Sequence, residues 1–159
     1  MSYETERKFL VASQEWRPLA EKPSIIRQGY LNRDPERVVR IRQIDDRAFI
    51  TIKNDPGKIE SDKLRRAEFE YAIPLDDAMF MLENLCLAPI IYKKRYRLVG
   101  ADGTNWEIDE FVQPQPGLVI AEVELKHSAD KFEMPGWLGA EVTLDPRYAN
   151  NNIGAANLA

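Results

Sequence analysis

Residues 3–10 read YETERKFL, and this stretch decides the fold that the rest of the chain follows. Side chains alternate between the two faces of a β-strand, so Glu4, Glu6 and Lys8 share one face of a predicted strand. The opposite face carries Phe9 and can meet a core. Two carboxylates and an ammonium on one strand face are typical of a solvated surface when they occur once. Their meaning depends on whether later strands repeat the arrangement.

Later strands do repeat it. Alternating apolar and charged residues, bounded by turn residues, predict seven further strands. They cover residues 24–31, 37–44, 47–53, 66–73, 89–98, 105–112 and 118–125. Like charges two residues apart repel each other, so a solvated face has no reason to favour them, whereas a face that binds ions does. Such pairs occur at Glu4/Glu6, Arg40/Arg42, Glu68/Glu70, Glu107/Asp109 and Glu122/Glu124.

Helical patterns are fewer. Pro74 ends a strand, and apolar residues at helical spacing from Leu75 to Cys86 predict a helix that packs on the core. A helical turn is expected over residues 14–20, and a helical patch over residues 129–132.

A charged loop is predicted from Asn54 to Leu64 and an irregular tail at the C-terminus. Asp45-Asp46 and Asp102-Gly103 are predicted turns between strands.

Composition narrows the function classes. The chain has 159 residues, which predicts a single domain spanning 1–159. Its net charge of −4 provides no general basic field, so nucleic-acid binding is disfavoured. No apolar run approaches the roughly 20 residues of a membrane span, and the N-terminus does not resemble a signal peptide. A cytoplasmic location is expected, and the lone Cys86 cannot form an internal disulfide.

These observations predict an α+β, mainly β fold: a closed eight-stranded antiparallel barrel with a charged lumen and a few flanking helices. The lumen would contain eight acidic and eight basic side chains. Carboxylate ligands suit the hard cations Mg²⁺ or Mn²⁺, and Arg and Lys suit phosphate. The acidic set is Glu4, Glu6, Glu68, Glu70, Glu107, Asp109, Glu122 and Glu124; the basic set is Lys8, Arg40, Arg42, Lys53, Arg66, Lys93, Arg95 and Arg97.

An ordered series of motifs over about residues 1–152 resembles the CYTH superfamily, the triphosphate tunnel metalloenzymes. A single ExExK is a weak signal, but the ordered set is specific. The motifs are ETERK (4–8), QGYL (28–31), VRIR (39–42), TIK (51–53), EFEY (68–71), KKRY (93–96), WEIDEF (106–111) and AEVEL (121–125). The resemblance implies an eight-stranded tunnel that binds a triphosphate and hydrolyses or cyclises it with a divalent metal.

The resemblance also implies roles for individual residues. Lys8 and Tyr30 match a dyad that helps to activate water. Two positions depart from the family pattern: Tyr92 precedes the lysine where many relatives have an acid, and Ala72 replaces a third alternating glutamate. Metal ligands would be Glu4, Glu6, Glu122 and Glu124, with Glu68, Glu70, Glu107 and Asp109 as further candidates. Phosphate would be held by Lys8, Arg40, Arg42, Lys53, Lys93 and Arg95. Arg66 is added to this set because the alternation places it on the lumen face.

The expected reaction is metal-assisted hydrolysis of a phosphoanhydride, with inorganic tripolyphosphate as substrate and pyrophosphate and phosphate as products. The charged lumen offers no evident aromatic slot for a base. Three alternatives remain: a class IV-type adenylate cyclase, a thiamine triphosphatase that stacks its substrate on Trp106 or Trp137, and a non-catalytic polyphosphate- or nucleotide-binding module.

Overall fold

The computed structural model describes residues 2–54 and 64–153. Residues 55–63 of the predicted loop and 154–159 of the predicted tail lie outside this part of the chain. The described residues form nine strands, one α-helix and two 3-10 turns, Arg17–Leu19 and Pro146–Tyr148. The strands and helix are β1 (Ser2–Val11), β2 (Ser24–Tyr30), β3 (Arg37–Ile44), β4 (Arg47–Asn54), β5 (Arg65–Ile73), α1 (Leu75–Asn84), β6 (Leu87–Val99), β7 (Asn105–Gln113), β8 (Val119–Glu124) and β9 (Leu138–Glu141).

Eight strands close into a ring. Their order is β5-β4-β3-β2-β6-β7-β8-β1, and β1 pairs again with β5 to close it. Every pairing is antiparallel; Lys8 lies opposite Glu122 on β8, and Tyr3 lies opposite Ala67 on β5. The closed antiparallel barrel predicted from the alternation is therefore confirmed. The short strand β9 was not predicted; it pairs with β1 outside the ring.

The outward faces of the strands carry apolar residues, and two layers cover them. On one side Phe9, Trp106 and Ala121 pack with Trp16 and Trp137, which come from segments outside the ring. The Trp106 ring meets the Trp137 ring edge-on with centroids 5.5 Å apart. Both Trp106 and Trp137 serve as packing residues here, so this core lies between the barrel wall and the covering segments.

The single described helix, α1, covers another part of the wall. Its buried residues Ala78 and Leu82 pack on Ile41 of β3 and Ala48 of β4. Asp76 and Asp77 occupy the first turn, where the partial positive charge of the helix N-terminus favours carboxylates. The predicted helix is confirmed, although it ends at Asn84, before Cys86.

One end of the barrel interior is filled by apolar side chains. Tyr30, Ile91, Phe111 and Ile120 pack there with Ile153 from the C-terminal segment. Tyr30, which the resemblance pairs with the lumen residue Lys8, does face inward, whereas Ile153 lies beyond the predicted strands. The interior is consequently charged along part of its length and apolar where this cluster closes it.

The two short helical predictions have different outcomes. The helical turn expected over residues 14–20 is present as the 3-10 turn Arg17–Leu19. Residues 129–132 are not helical, because the carboxylate of Asp130 accepts the backbone N–H groups of Lys126 and His127 and fixes a turn. Among the described residues no helix is long and apolar enough to cross a membrane.

Candidate active site

A cavity of about 730 Å³ occupies the charged part of the barrel interior. Fourteen of the sixteen charged residues predicted for the lumen line it. The described residues contribute seven acidic and nine basic side chains to its wall, including Arg47 and Lys126, which the prediction did not contain. The predicted residues that line it are Glu4, Glu6, Lys8, Arg40, Arg42, Lys53, Arg66, Glu68, Glu70, Arg95, Arg97, Glu107, Glu122 and Glu124.

Lys93 and Asp109 are the two predicted lumen residues that do not line the cavity. Each is 1% exposed, and the Lys93 ammonium lies 2.5 Å from Asp109 Oδ2. The ammonium also lies 5.5 Å from the centre of the Phe111 ring. Both side chains face inward as predicted, but at the level where the apolar cluster begins, so they are buried against each other. Burial lowers the pKa of Lys93 to about 8 despite the charge of Asp109.

The first strand places its three inward-facing charged residues, Glu4, Glu6 and Lys8, in one ion-pair network. Glu4 Oε1 lies 2.7 Å from Lys53 Nζ and 3.0 Å from Arg66 Nη2. Glu6 Oε1 lies 2.9 Å from the same Arg66 nitrogen and 3.2 Å from Lys8 Nζ. The carboxylates and the ammonium therefore share partners across β1, β4 and β5.

Lys8 also bridges β1 and β8, because its Nζ lies 3.2 Å from Glu122 Oε1. Burial by itself would lower the pKa of Lys8, but the charges of Glu122 and Glu6 outweigh it and raise the pKa. Burial opposes ionisation of Glu122 as well, yet the charges of Lys8 and Arg95 hold its pKa well below the usual range. Both groups are thus charged at neutral pH.

Glu124 differs from the other cavity carboxylates. Among the described residues it is the one cavity carboxylate without an ion pair or hydrogen bond to its side chain. Its pKa is raised, first by burial and then by the neighbouring carboxylates. Negative charge is therefore in excess on this side of the cavity, next to β8. The carboxylates that raise its pKa are Glu4, Glu107, Glu6 and Glu68.

No three Asp, Glu, His or Cys side chains of the described residues form a cluster with metal-site geometry. Apart from Glu124, the predicted ligands contact lysine or arginine instead. Glu68, for example, lies 3.0 Å from Lys53, and Glu107 lies 3.1 Å from Arg97. The eight metal assignments made from the sequence stay predictions.

Positive charge is in excess on the side of β3. Arg42 Nη2 lies 3.0 Å from Glu70 Oε2, and Arg40 Nη2 lies 3.5 Å from the same oxygen. Burial, together with the charges of Arg40 and Arg95, lowers the pKa of Arg42 to about 10. The Nε atoms of Arg40 and Arg42 are buried and have no hydrogen-bond partner among the described residues. This cluster contains more cationic charge than one glutamate compensates.

Arg95 joins the cavity to the buried pair beneath it. Its Nε and Nη2 each donate a 2.7 Å hydrogen bond to Asp109, one to each carboxylate oxygen. Nη2 also donates to Glu122 at 3.1 Å, and Nη1 donates to Glu107. A guanidinium has five N–H groups, so these four bonds leave one N–H on Nη1 that no described residue accepts.

Tyr30 lies near the junction of the charged and apolar parts of the interior. The amide of Gln28 donates a 3.3 Å hydrogen bond to its hydroxyl oxygen. Burial raises the pKa of Tyr30, although the charges of Arg40 and Lys8 oppose the shift. The phenol is therefore neutral at physiological pH and can donate its own hydrogen.

Sequence reasoning missed some residues of the site. Thr51 is buried, donates a 2.8 Å hydrogen bond to Glu70 and accepts one of 3.2 Å from Arg40. It shares the inward face of β4 with Lys53, so the alternation could have identified it. Asn150 and Asn151 also line the cavity, but they follow the last strand and no periodic signal in the sequence indicates them.

The chain is similar to known proteins over nearly its whole length. It is 42% identical over 153 residues to an inorganic triphosphatase of Acetivibrio thermocellus, covering 96% of this chain and 94% of that protein. It is 36% identical over 154 residues to an inorganic triphosphatase of Nitrosomonas europaea, covering 94% of this chain and 95% of that protein.

Structural comparison agrees. The crystal structure of an inorganic triphosphatase superposes with a TM-score of 0.69 at 31% sequence identity, covering 99% of this chain and 97% of the other. Residues 2–150 match the CYTH domain as a family. By sequence, by fold and by the ordered charged motifs, this chain belongs to the CYTH domain family.

Proposed function

We propose that this protein hydrolyses inorganic tripolyphosphate to pyrophosphate and phosphate with the help of a divalent cation. The observation that carries the proposal is the separation of charge across the cavity. Uncompensated cations lie on β3, around Arg40 and Arg42, and an uncompensated carboxylate, Glu124, lies on β8. These strands are four places apart in a ring of eight, so they face each other.

The cationic side suits a phosphate chain. Arg40, Arg42 and Arg95 present guanidinium groups, whose fork geometry matches phosphate oxygens. Such groups stabilise the negative charge that spreads over the oxygens of the transferred phosphoryl group. The buried Nε atoms without partners and the lowered pKa of Arg42 indicate that this side is short of anionic charge.

The acidic side suits a hard cation, because its potential ligands are carboxylate oxygens. Glu4, Glu6 and Glu124, with Glu107 and Glu68 nearby, would hold it, and we expect Mg²⁺ or Mn²⁺. Bound there, the cation would neutralise phosphate charge and polarise the phosphoanhydride. The raised pKa of Glu124 fits this assignment, since added positive charge would relieve the repulsion among these carboxylates.

Lys8 and Tyr30 complete the proposed site. Both are protonated at neutral pH, because their pKa values are raised. They therefore act as hydrogen-bond donors, which orient the attacking water and hold an adjacent phosphate oxygen, rather than as bases. Water attacks the terminal phosphorus, the bond to the bridging oxygen breaks and pyrophosphate leaves, while a proton of the attacking water passes to an oxygen of the phosphate product.

The inorganic substrate is supported by the relatives, since both curated proteins are named inorganic triphosphatases. A direct test incubates the protein with tripolyphosphate, ATP or thiamine triphosphate and Mg²⁺ or Mn²⁺, and measures phosphate, pyrophosphate and cyclic AMP. Phosphate release from tripolyphosphate well above that from the two organic substrates is expected. Cyclic AMP formation from ATP, or binding without any turnover, would contradict the proposal.

The cation assignment has its own test, a Glu124→Gln substitution. We expect the metal concentration for half-maximal activity to rise at least tenfold, because a charged ligand is lost. The metal-free protein should melt at the same or a higher temperature, since repulsion with the other carboxylates is relieved. Glu133→Gln, which alters an exposed carboxylate outside the cavity, is the matched control. An unchanged metal requirement in Glu124→Gln would remove this residue from the ligand set.

A further inference from the structure

The buried pair Lys93 and Asp109 has no direct access to the cavity. Neither side chain lines it, and each is 1% exposed. Moving Lys93 into the cavity would break its 2.5 Å contact with Asp109. Breaking a buried ion pair is costly, because each buried charge loses a partner that stabilises it.

Asp109 instead has one neighbour that does reach the cavity, Arg95. Two of the arginine nitrogens, Nε and Nη2, donate to the two oxygens of this carboxylate at 2.7 Å. This bidentate arrangement fixes the plane and direction of the guanidinium. Glu107 and Glu122 accept two further bonds from it, so within the described part of the chain one N–H on Nη1 remains for a ligand.

Lys93 in turn fixes Asp109. Its ammonium binds Oδ2, the oxygen that also accepts from Arg95 Nη2, and lies beside the Phe111 ring. Register explains the placement, because Lys93 lies opposite Phe111 and Arg95 opposite Asp109 on the β6–β7 ladder. The carboxylate is thereby held from below by the lysine and from the cavity side by the arginine.

We propose that Lys93 and Asp109 are positioning residues, which act on the substrate through Arg95 and contact neither phosphate nor metal. The inference rests on the proposed function for its substrate. It differs from the sequence-based assignment, in which Lys93 holds phosphate and Asp109 is a metal ligand. On this proposal the pair directs the remaining N–H of Arg95 Nη1 towards a phosphate oxygen, and loss of the pair allows the guanidinium to turn.

The test is a double-mutant cycle of Lys93→Met and Arg95→Met, with tripolyphosphate as ligand and substrate. Lys93→Met should raise the Kd and KM for tripolyphosphate and lower kcat/KM by about 10- to 100-fold, since small misplacements of a contact group have effects of this size. In the Arg95→Met background the same substitution should change Kd and kcat/KM less than twofold. The matched control, Lys94→Met, alters the adjacent exposed lysine and should leave both parameters unchanged.

Three results would overturn the inference. A further loss of affinity from Lys93→Met in the Arg95→Met background would mean that the lysine contacts phosphate itself. A lower kcat with unchanged KM and Kd would indicate a structural role, in which a fraction of the protein is misfolded. A tenfold or greater rise in the metal requirement of Asp109→Asn would make Asp109 a ligand.

Calorimetric binding separates this inference from the proposed function, because it needs no turnover. If the wild-type protein binds tripolyphosphate without hydrolysing it, the proposed function is wrong, and the Kd values of the four proteins in the cycle still decide the role of Lys93. If the wild-type protein does not bind tripolyphosphate at all, both are wrong.

Discussion

Lys8 on β1 and Tyr30 on β2 are two protonated donors that face the barrel interior from strands four places apart in the ring. Lys8 is held by Glu6 and Glu122, each 3.2 Å away. Tyr30 is fixed by the Gln28 amide and by burial. Removal of the Tyr30 hydroxyl should leave the Lys8 ion pairs and the packing of the Tyr30 ring in place. A substitution at Tyr30 therefore tests the chemistry without a large change in folding.

We predict that Tyr30→Phe lowers kcat for tripolyphosphate by about 10- to 100-fold while KM changes little, because the hydroxyl that we propose as a donor to the attacking water is lost. Steady-state kinetics and thermal melting check this expectation. Tyr96→Phe is the matched control, since the Tyr96 hydroxyl donates to Glu110 at 3.2 Å outside the cavity. Equal losses of kcat in both variants would show that the effect of Tyr30→Phe is not specific to the site.

At the level of elements, helix α1 supports the strands that carry the arginines. Leu82 packs against Ile41, which lies between Arg40 and Arg42 on β3 and faces outward. The same strand therefore presents apolar residues to the helix and guanidinium groups to the cavity. Packing of the helix fixes the strand and with it the cationic side of the site.

We predict that Leu82→Ala lowers the free energy of unfolding by about 2–5 kcal/mol, because a fully buried side chain is removed and a cavity remains. Leu82 is 2% exposed. Phe80→Ala on the same helix is the control; Phe80 is 61% exposed, so its change should be within about 0.5 kcal/mol. Urea denaturation measures both. A larger loss for Phe80→Ala than for Leu82→Ala would contradict the packing of α1 described here.

At the scale of the whole molecule, ring closure brings charges from distant parts of the sequence together. Lys8 meets Glu122, and Arg66 meets Glu4, because β1 pairs with both β8 and β5. Several interior carboxyls consequently ionise more readily than in the unfolded chain. In each, burial opposes ionisation and the neighbouring cations or hydrogen bonds outweigh it. The carboxyls with lowered pKa values are those of Glu68, Glu70, Asp109 and Glu122.

These lowered pKa values predict loss of stability in acid. A carboxyl with a depressed folded-state pKa contributes stability that is complete above its unfolded pKa of about 4.3 and is lost as the pH falls through the folded value. The urea midpoint should therefore decrease steadily as the pH is lowered from 5 to 3. Glu70→Gln removes one such group and should lose less stability over this range. A midpoint that is equal at pH 5 and pH 3 would contradict the prediction.

Much of the site could be predicted because alternation along a strand is a local property. Once Glu4, Glu6 and Lys8 are assigned to the interior, period-two spacing assigns the charged residues of the other strands as well. Fourteen of the sixteen line the cavity. Family resemblance and the antiparallel barrel follow from the same motifs, since each motif is a short stretch of one strand.

Alternation predicts which face of a strand a side chain lies on, but not its position along the barrel axis. The tertiary structure determines that position. Lys93 and Asp109 face inward, yet strand pairing places them beside Phe111 and the apolar end, where they are buried as an ion pair. The position of β3 across from β8 and the entry of Asn150 into the cavity also depend on long-range pairing and packing. The sequence by itself determined which charges enter the interior; register and ring closure determined which of them a ligand can reach.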